Sequence, residues 1–339
     1  MSHVGLIVNP SAGRDIRRLT GGASVVDNYA KRSTTVCVLD GLTLVDQTVS
    51  VEIMPDKTGI AAHAIDEAPN GLDISEVEMF IQESAADTRR AAAHFRETAD
   101  AVVVLGGDGT SRDTALELGD VPLVSVSTGT NNVVPTPVDG TVAGAAAAVI
   151  ATGMVDADTA TTCHGKIEVH ADDVSGEKHF SGLATIGITD RPFVGTRAIV
   201  DPTELLGGVV TRAHPAAIGL TSVAGCVNPL APDEPGGVAL RLGDPDETPR
   251  SVRAVLAPGM TTTVGLESYE TLDWDEPAIF EIQDGVIGAD GEREIELTDA
   301  TVTMTPTANG PRLVEVATAL QAASETGGLI SDKVLPGDS

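Results

Sequence analysis

The stretch Ala101-Val-Val-Val-Leu-Gly-Gly-Asp-Gly-Thr110 decides the fold. A continuous β-branched apolar run bounded by turn residues reads as a buried strand, and here it empties into three glycines around one carboxylate. Residues 111–118 follow with Ala115, Leu116 and Leu118 at helical spacing. The order is therefore strand, glycine loop, helix. Gly106, Gly107 and Gly109 permit positive φ and close backbone approach, so several N–H groups can point at one anion beside a helix N-terminus. Phosphate is the natural guest. Asp108 would repel it unless Mg²⁺ bridges the two or the carboxylate takes a proton from an acceptor hydroxyl, and both cases describe phosphoryl transfer. The competing reading is a tight turn whose aspartate caps the helix.

Two more junctions of this kind flank it. Val4 to Val8 reads as a strand entering Asn9-Pro-Ser-Ala-Gly13 and then Arg14-Asp-Ile-Arg17-Arg18. Asn9 and Ser11 suit a turn, Gly13 leaves room for a phosphate, and the arginines gather positive charge; a capped, solvated helix start explains the same residues. No Walker-type Gly-Lys-Ser/Thr occurs, which excludes a P-loop NTPase. Val121 to Val126 reads as a strand entering Ser127-Thr-Gly129-Thr130-Asn131-Asn132, where hydroxyls and amides can meet a ribose or an adenine edge, or simply form a turn before a helix over 141–150. Strands are also expected at 36–39, 49–53 and 77–81, with Asp87 or Thr88 capping a helix that runs to Phe95. Alternation of this kind predicts an α/β fold: an open parallel sheet with helices on both faces and ligands outside the strand carboxyl ends.

Beyond Gly153 the segments 167–169, 183–188, 238–242, 252–256 and 279–282 are short, apolar and separated by turns, which predicts a mostly β domain. The domains are expected at 1–154 and 155–305, with a C-terminal segment at 306–339 that is helical over 313–323 and loose beyond 325. Thr189-Asp-Arg-Pro-Phe-Val-Gly195 is either an acceptor loop or a structural turn, and Ala289-Asp290-Gly291-Glu292 reads by itself as a hairpin.

The 339 residues carry 21 Lys plus Arg against 50 Asp plus Glu, a formal charge of −29, with the acids spread along the chain. Such a coat is a solubility adaptation of the kind suited to halophilic, high-salt cytoplasms, and it disfavours nucleic acid and anionic membranes as partners. Phosphate must then be held by local donors and Mg²⁺. Cys37, Cys163 and Cys226 form no disulfide framework, and His164, His170 and His179 fit no zinc spacing, so no residue is assigned as a direct metal ligand. With no leader and no apolar run of eighteen residues, a cytoplasmic protein is expected.

Gly106-Gly-Asp-Gly-Thr110 after a strand resembles the signature of the NAD kinase, diacylglycerol kinase and sphingosine kinase superfamily. Asn9-Pro-Ser-Ala-Gly13, Gly129-Thr-Asn-Asn132 and Asp290-Gly-Glu292 are similar to its other motifs, in the same order. The sequence is most similar to the predicted ATP- or polyphosphate-dependent NAD kinases that include acetoin catabolism protein X. The resemblance implies an α/β nucleotide domain, a β-sandwich domain and a C-terminal segment returning to the first. It implies transfer of the terminal phosphate of ATP or polyphosphate, with Mg²⁺, to the 2′-hydroxyl of NAD, in a homo-oligomer acting on a small molecule. Asp108 would be the general base or the group that orients the acceptor hydroxyl. Asn9, Ser11, Gly13, Arg17, Gly106, Gly107, Gly109, Thr110, Gly129, Thr130, Asn131, Asn132, Asp290 and Glu292 would bind nucleotide and phosphate. The Asn-Glu/Asp motif and the Thr-Pro-Thr-Gly-Ser-Thr-Ala-Tyr-like segment of NAD kinases proper are missing. Ala257-Pro-Gly-Met-Thr-Thr-Thr263 is only distantly similar to the latter, which keeps open an acetoin-related, polyol or lipid-headgroup acceptor, or a non-catalytic nucleotide-binding protein.

Overall fold

The computed structural model describes residues 2–12, 27–128, 132–190, 202–257 and 259–330, with 292–294 described in backbone only. Gly13, Arg14, Arg17, Arg18, Gly129, Thr130, Asn131, residues 191–195, the Glu292 side chain and the tail from 331 lie outside the described residues.

The first half alternates strands and helices: β1 (Ser2–Val8), α1 (Asn28–Leu42), β2 (Val49–Ile53), α2 (Ile60–Asp66), β3 (Asp73–Glu76), α3 (Ala85–Thr98), β4 (Ala101–Gly106), α4 (Asp108–Leu118), β5 (Leu123–Ser127) and α5 (Gly140–Ala151). After α6 (Ala157–Ala160) come β6 (Thr161–Cys163), β7 (Lys166–Asp173), β8 (Gly176–Gly182), β9 (Thr185–Thr189) and β10 (Leu205–Val210). Beyond α7 (Leu220–Val227) lie β11 (Gly237–Gly243), β12 (Arg250–Ala257), β13 (Met260–Leu272), β14 (Ala278–Ala289) and β15 (Glu292–Thr307). The described chain closes with β16 (Arg312–Val314) and α8 (Val316–Glu325).

Seven strands form one sheet in the order β3-β2-β1-β4-β5-β16-β6, parallel except for β6. Every residue of β4 is buried. Val103 and Leu105 pack into a cluster with α1, α5 and α8, while Val102 and Val104 pack with Ala91, Ala92 and Phe95 of α3 on the other face. A strand covered on both sides needs a continuous apolar run, as its sequence has. The other nine strands make an antiparallel sheet, β12-β13-β11-β10-β9-β14-β15-β7-β8. The architecture is thus an α/β unit followed by a β-sheet unit.

Four expectations are corrected. Residues 36–39 are not a strand but the middle of α1, where Val38, Leu39 and Leu42 face the core. The helix is fixed by close contact with α5: a Cβ on Gly41 would lie 2.0 Å from the Thr141 carbonyl oxygen, and one on Gly144 2.0 Å from that of Val38. Tertiary packing overrides the β-branched local preference. The third strand is Asp73–Glu76, not 77–81, because Val77 turns into the core as the chain leaves the sheet. Helix α3 is capped by Ser84, with the Asp87 carboxylate reaching back to the Ser84 N–H at 3.2 Å. In the C-terminal segment the helix starts at Val316, because residues 312–314 form a strand against β5 and β6.

Candidate active site

Building outward from β1 and then from β4 in opposite directions makes their junction the switch point of the sheet, where the crevice for a ligand opens. Register sets the three loops level there. Val8 pairs with Leu105, and Gly106 pairs with Ser127. The Asn9 N–H donates to the Leu105 carbonyl at 3.2 Å and the Thr128 N–H to the Gly106 carbonyl at 2.9 Å.

Side chains join the loops. Asn9 Nδ2 donates to Thr110 Oγ1 at 2.9 Å, while Asn9 Oδ1 accepts the Ser11 N–H at 2.8 Å, leaving Ser11 exposed. Asn132 Nδ2 donates to Ser127 Oγ at 2.6 Å. Gly106 and Gly107 are explained by proximity, and none of Gly106, Gly107 and Gly109 has positive φ. A Cβ on Gly106 would meet Thr110 Cβ at 2.5 Å, and one on Gly107 would meet Asn132 Oδ1 at 3.2 Å. Gly107 caps α4, so Asp108, Gly109 and Thr110 form the first helical turn with their N–H groups toward the crevice side of the sheet.

Asp108 is buried, with 9% of its surface exposed. Its Oδ1 accepts the N–H groups of Val133 and Val134 at 2.9 and 2.8 Å, and Oδ2 lies 3.0 Å from the former. Burial pushes its carboxyl up to about 7, with Asp290 adding to the rise, while the two amides and Arg212 oppose it. The proton equilibrium of the group is thereby moved into the neutral range.

The β-sheet unit closes over this carboxyl. Asp290, in the turn between β14 and β15, is buried and takes the N–H groups of Leu183, Ala184 and Thr185 at 2.8 to 3.0 Å. In this arrangement both oxygens of its carboxyl hold backbone amides, and burial raises its pKa. Leu183 and Ala184 pack into the same apolar cluster as Ile7, Met54 and Val134, so this anchor docks the second unit on the first. Arg112 of α4 is buried and donates from Nη1 to the Ala289 carbonyl at 3.0 Å, a second tie to the same turn.

The residue that sequence reasoning missed is Arg212, just past β10. Its Nη1 donates to the Val133 carbonyl at 3.1 Å, on the residue whose N–H serves Asp108. Burial lowers its pKa to about 10, against the attraction of Glu315 and Asp108. His164 is buried, pushed down to about 3 by burial and by Arg212, and its Nδ1 pairs with the Gly165 carbonyl. One signal was available: an arginine ending the apolar run Val209-Val-Thr-Arg212 in a chain poor in bases.

Among the described residues no three His, Cys, Asp or Glu side chains gather to hold an ion, and the oxygens of Asp108 and Asp290 are engaged by amides. No helix among them is long and apolar enough to cross a membrane. Cys37, Cys163 and Cys226 are free thiols.

Comparison with known proteins agrees with this architecture. The ATP-NAD kinase N-terminal domain matches residues 4–154, and the acetoin catabolism protein X C-terminal domain matches residues 165–309. Acetoin catabolism protein X of Cupriavidus necator is 33% identical over 330 residues, spanning 94% of this chain and 92% of that protein. The crystal structure of yeast NADH kinase complexed with NADH shares the fold, with a TM-score of 0.53 at 13% identity over 99% of this chain and 89% of that one. This chain belongs to the family of acetoin catabolism protein X, and its first 154 residues carry a match to the ATP-NAD kinase N-terminal domain.

Proposed function

We propose that the chain is an NAD kinase-like phosphotransferase that moves the terminal phosphate of ATP or polyphosphate to the 2′-hydroxyl of NAD. The observation that carries this is Asp108: a buried carboxyl with a pKa of about 7, at the point where the loops after β1, β4 and β5 meet. A general base for a hydroxyl works best with its pKa near the working pH. Asp108 takes the proton of the acceptor hydroxyl, and the freed oxygen forms its bond to the terminal phosphorus. The bond from that phosphorus to the bridging oxygen breaks, and its electron pair leaves with ADP or the shortened polyphosphate.

The amides at the head of α4 and the Asn9 to Thr110 contact supply the phosphate seat. Gly13 and Arg17 belong with the donor, and Thr130, Asn131 and Asn132 with the nucleotide. Any Mg²⁺ comes with the donor phosphates, since no protein cage offers itself among the described residues, and no step is assigned to it.

One observation favours a second reading, in which another small hydroxyl compound is the acceptor. The segment distantly similar to the nucleotide-contacting stretch of NAD kinases lies in the β12–β13 hairpin. That hairpin is at the sheet edge, four to five strand positions from β14 and so roughly 19–24 Å from the Asp290 turn along the sheet.

Purified protein incubated with labelled ATP, or with labelled polyphosphate, should label NAD at low and at high KCl. Label on acetoin, glycerol or a component of a metabolite extract, with none on NAD, would replace the first acceptor by the second. Tight nucleotide binding without transfer to anything would remove the kinase reading.

A further inference from the structure

Arg212 is a cation that the β-sheet unit turns toward Asp108 closely enough to oppose its raised pKa. It sits beyond β10, anchored on both sides: the Thr211 N–H donates to the Ala184 carbonyl at 3.1 Å, and Thr211 Oγ1 to that of Leu183 at 2.8 Å. Those two residues are the ones whose amides Asp290 holds. The guanidinium therefore stands on the same rigid turn that docks the two units.

Its hydrogen bonds are unevenly used. Nη1 donates to the Val133 carbonyl, whereas Nε is buried with no partner among the described residues. His164 Nε2 is likewise buried and unpartnered, and because Nδ1 pairs with the Gly165 carbonyl, Nε2 carries the lone pair. An unused N–H and an unused lone pair thus belong to two groups near enough for the arginine charge to hold the imidazole neutral. Glu315, at the head of α8, is the counter-charge on the far side.

We infer that Arg212 is a positioning residue for the reaction: from the second unit it fixes the Val133 peptide against Asp108 and sets a positive charge beside that carboxyl. This rests on the reading of Asp108 as the base. The charged and polar groups facing Asp108 are Asp290 from the β14–β15 turn, Arg212 from beyond β10 and the amides of Val133 and Val134. Asp290 opposes ionisation, and the other three favour it. Removing Arg212 leaves only the two amides to favour ionisation.

The test uses the intact chain with Arg212→Gln, Arg212→Met and Arg212→Lys. Loss of one neighbouring charge should raise the Asp108 midpoint by about one pH unit, followed by carboxyl ¹³C resonances assigned through their disappearance in Asp108→Asn. If the midpoint moves from about 7 to about 8, turnover at pH 7 falls roughly fivefold and recovers at pH 9. A purely structural loss would persist at every pH. Arg212→Lys keeps the charge and loses the fork, so its midpoint should stay within about 0.3 unit while kcat falls. Arg212→Met, which keeps the stem packing, carries the test if Arg212→Gln melts early. An unmoved midpoint in a folded neutral variant, or a lysine variant displaced as far as the glutamine one, would overturn the inference. Should the wild-type chain transfer no phosphate, the kinase reading fails, while the carboxyl titration still decides the role of Arg212.

Discussion

Replacing Asp108 by Asn should abolish turnover and at the same time stabilise the protein at neutral pH. The carboxyl is raised from 3.8 to about 7, chiefly by burial. A folded-state pKa above the unfolded one means that the protonated acid is the form the fold prefers. The preference is fully present below about pH 4, and the stability it carries is lost as pH rises through about 7. Three pH units correspond to a ceiling of about 4 kcal/mol. Asn is neutral throughout, and its Oδ1 can accept the Val133 and Val134 amides. Its NH₂ group finds no ready acceptor, which returns about 2 kcal/mol of that gain. The expected net is about 2 kcal/mol at pH 8.5, or a Tm higher by about 4–8 °C for a unit of this size. At pH 4.5 the two chains should melt within about 1 °C of each other or with the order reversed. Differential scanning calorimetry at the two pH values, alongside the transfer assay, reads both effects. Turnover should fall by a factor of about 10² or more. A variant less stable than wild type at pH 8.5 would show that the carboxylate is a favourable tie to the 133–134 amides, and the account of Asp108 as a strained base would fall.

Three further substitutions probe the scaffold. Gly144→Ala drives a methyl against the Val38 carbonyl, with both partners backbone; a loss of about 3 kcal/mol or more is expected in urea unfolding. Gly106→Ala sets its Cβ 2.5 Å from Thr110 Cβ, so the first turn of α4 must shift. ATP affinity by calorimetry should weaken roughly tenfold while the melting curve moves little. Asp290→Asn offers an NH₂ group where one of three amides needs an acceptor. It should cost about 1–3 kcal/mol, and by removing a like charge it should move the acid limb of the rate profile to lower pH, opposite to the change expected at Arg212.

The parts legible in the sequence are those in which one short stretch carries its own physics. The run from Ala101 to Leu105 is apolar at every position because β4 is covered on both faces, and the glycines after it are needed because Thr110 and Asn132 fold back on them. Their reason was only half read: close approach requires them, not positive φ. Helix α1 was illegible because Thr34-Thr-Val-Cys-Val-Leu39 is β-branched locally, and only the distant Gly140 and Gly144 reveal the helix packed beside it. The same distance hid Arg212, which lies in an unremarkable apolar segment and reaches Val133 only once β10 is paired with β9 and β11.

Electrostatics ties these pieces together. A chain with a formal charge of −29 repels phosphate at long range, and at the site itself the charge of Asp290 acts on the buried Asp108. Two like charges there are unfavourable unless one is protonated or a cation intervenes. The first route gives a carboxyl that titrates near neutrality, the property a base for a hydroxyl requires. The second is supplied by Arg212, while Arg112 draws Asp290 the other way and ties the same turn to α4. The raised pKa of Asp108 is therefore not a property of the Gly-Gly-Asp-Gly loop alone. It arises when the second unit docks and brings one carboxylate and one guanidinium against that loop, so the isolated first unit should keep its sheet and its glycine loop while the Asp108 pKa falls back toward that of an ordinary carboxylate.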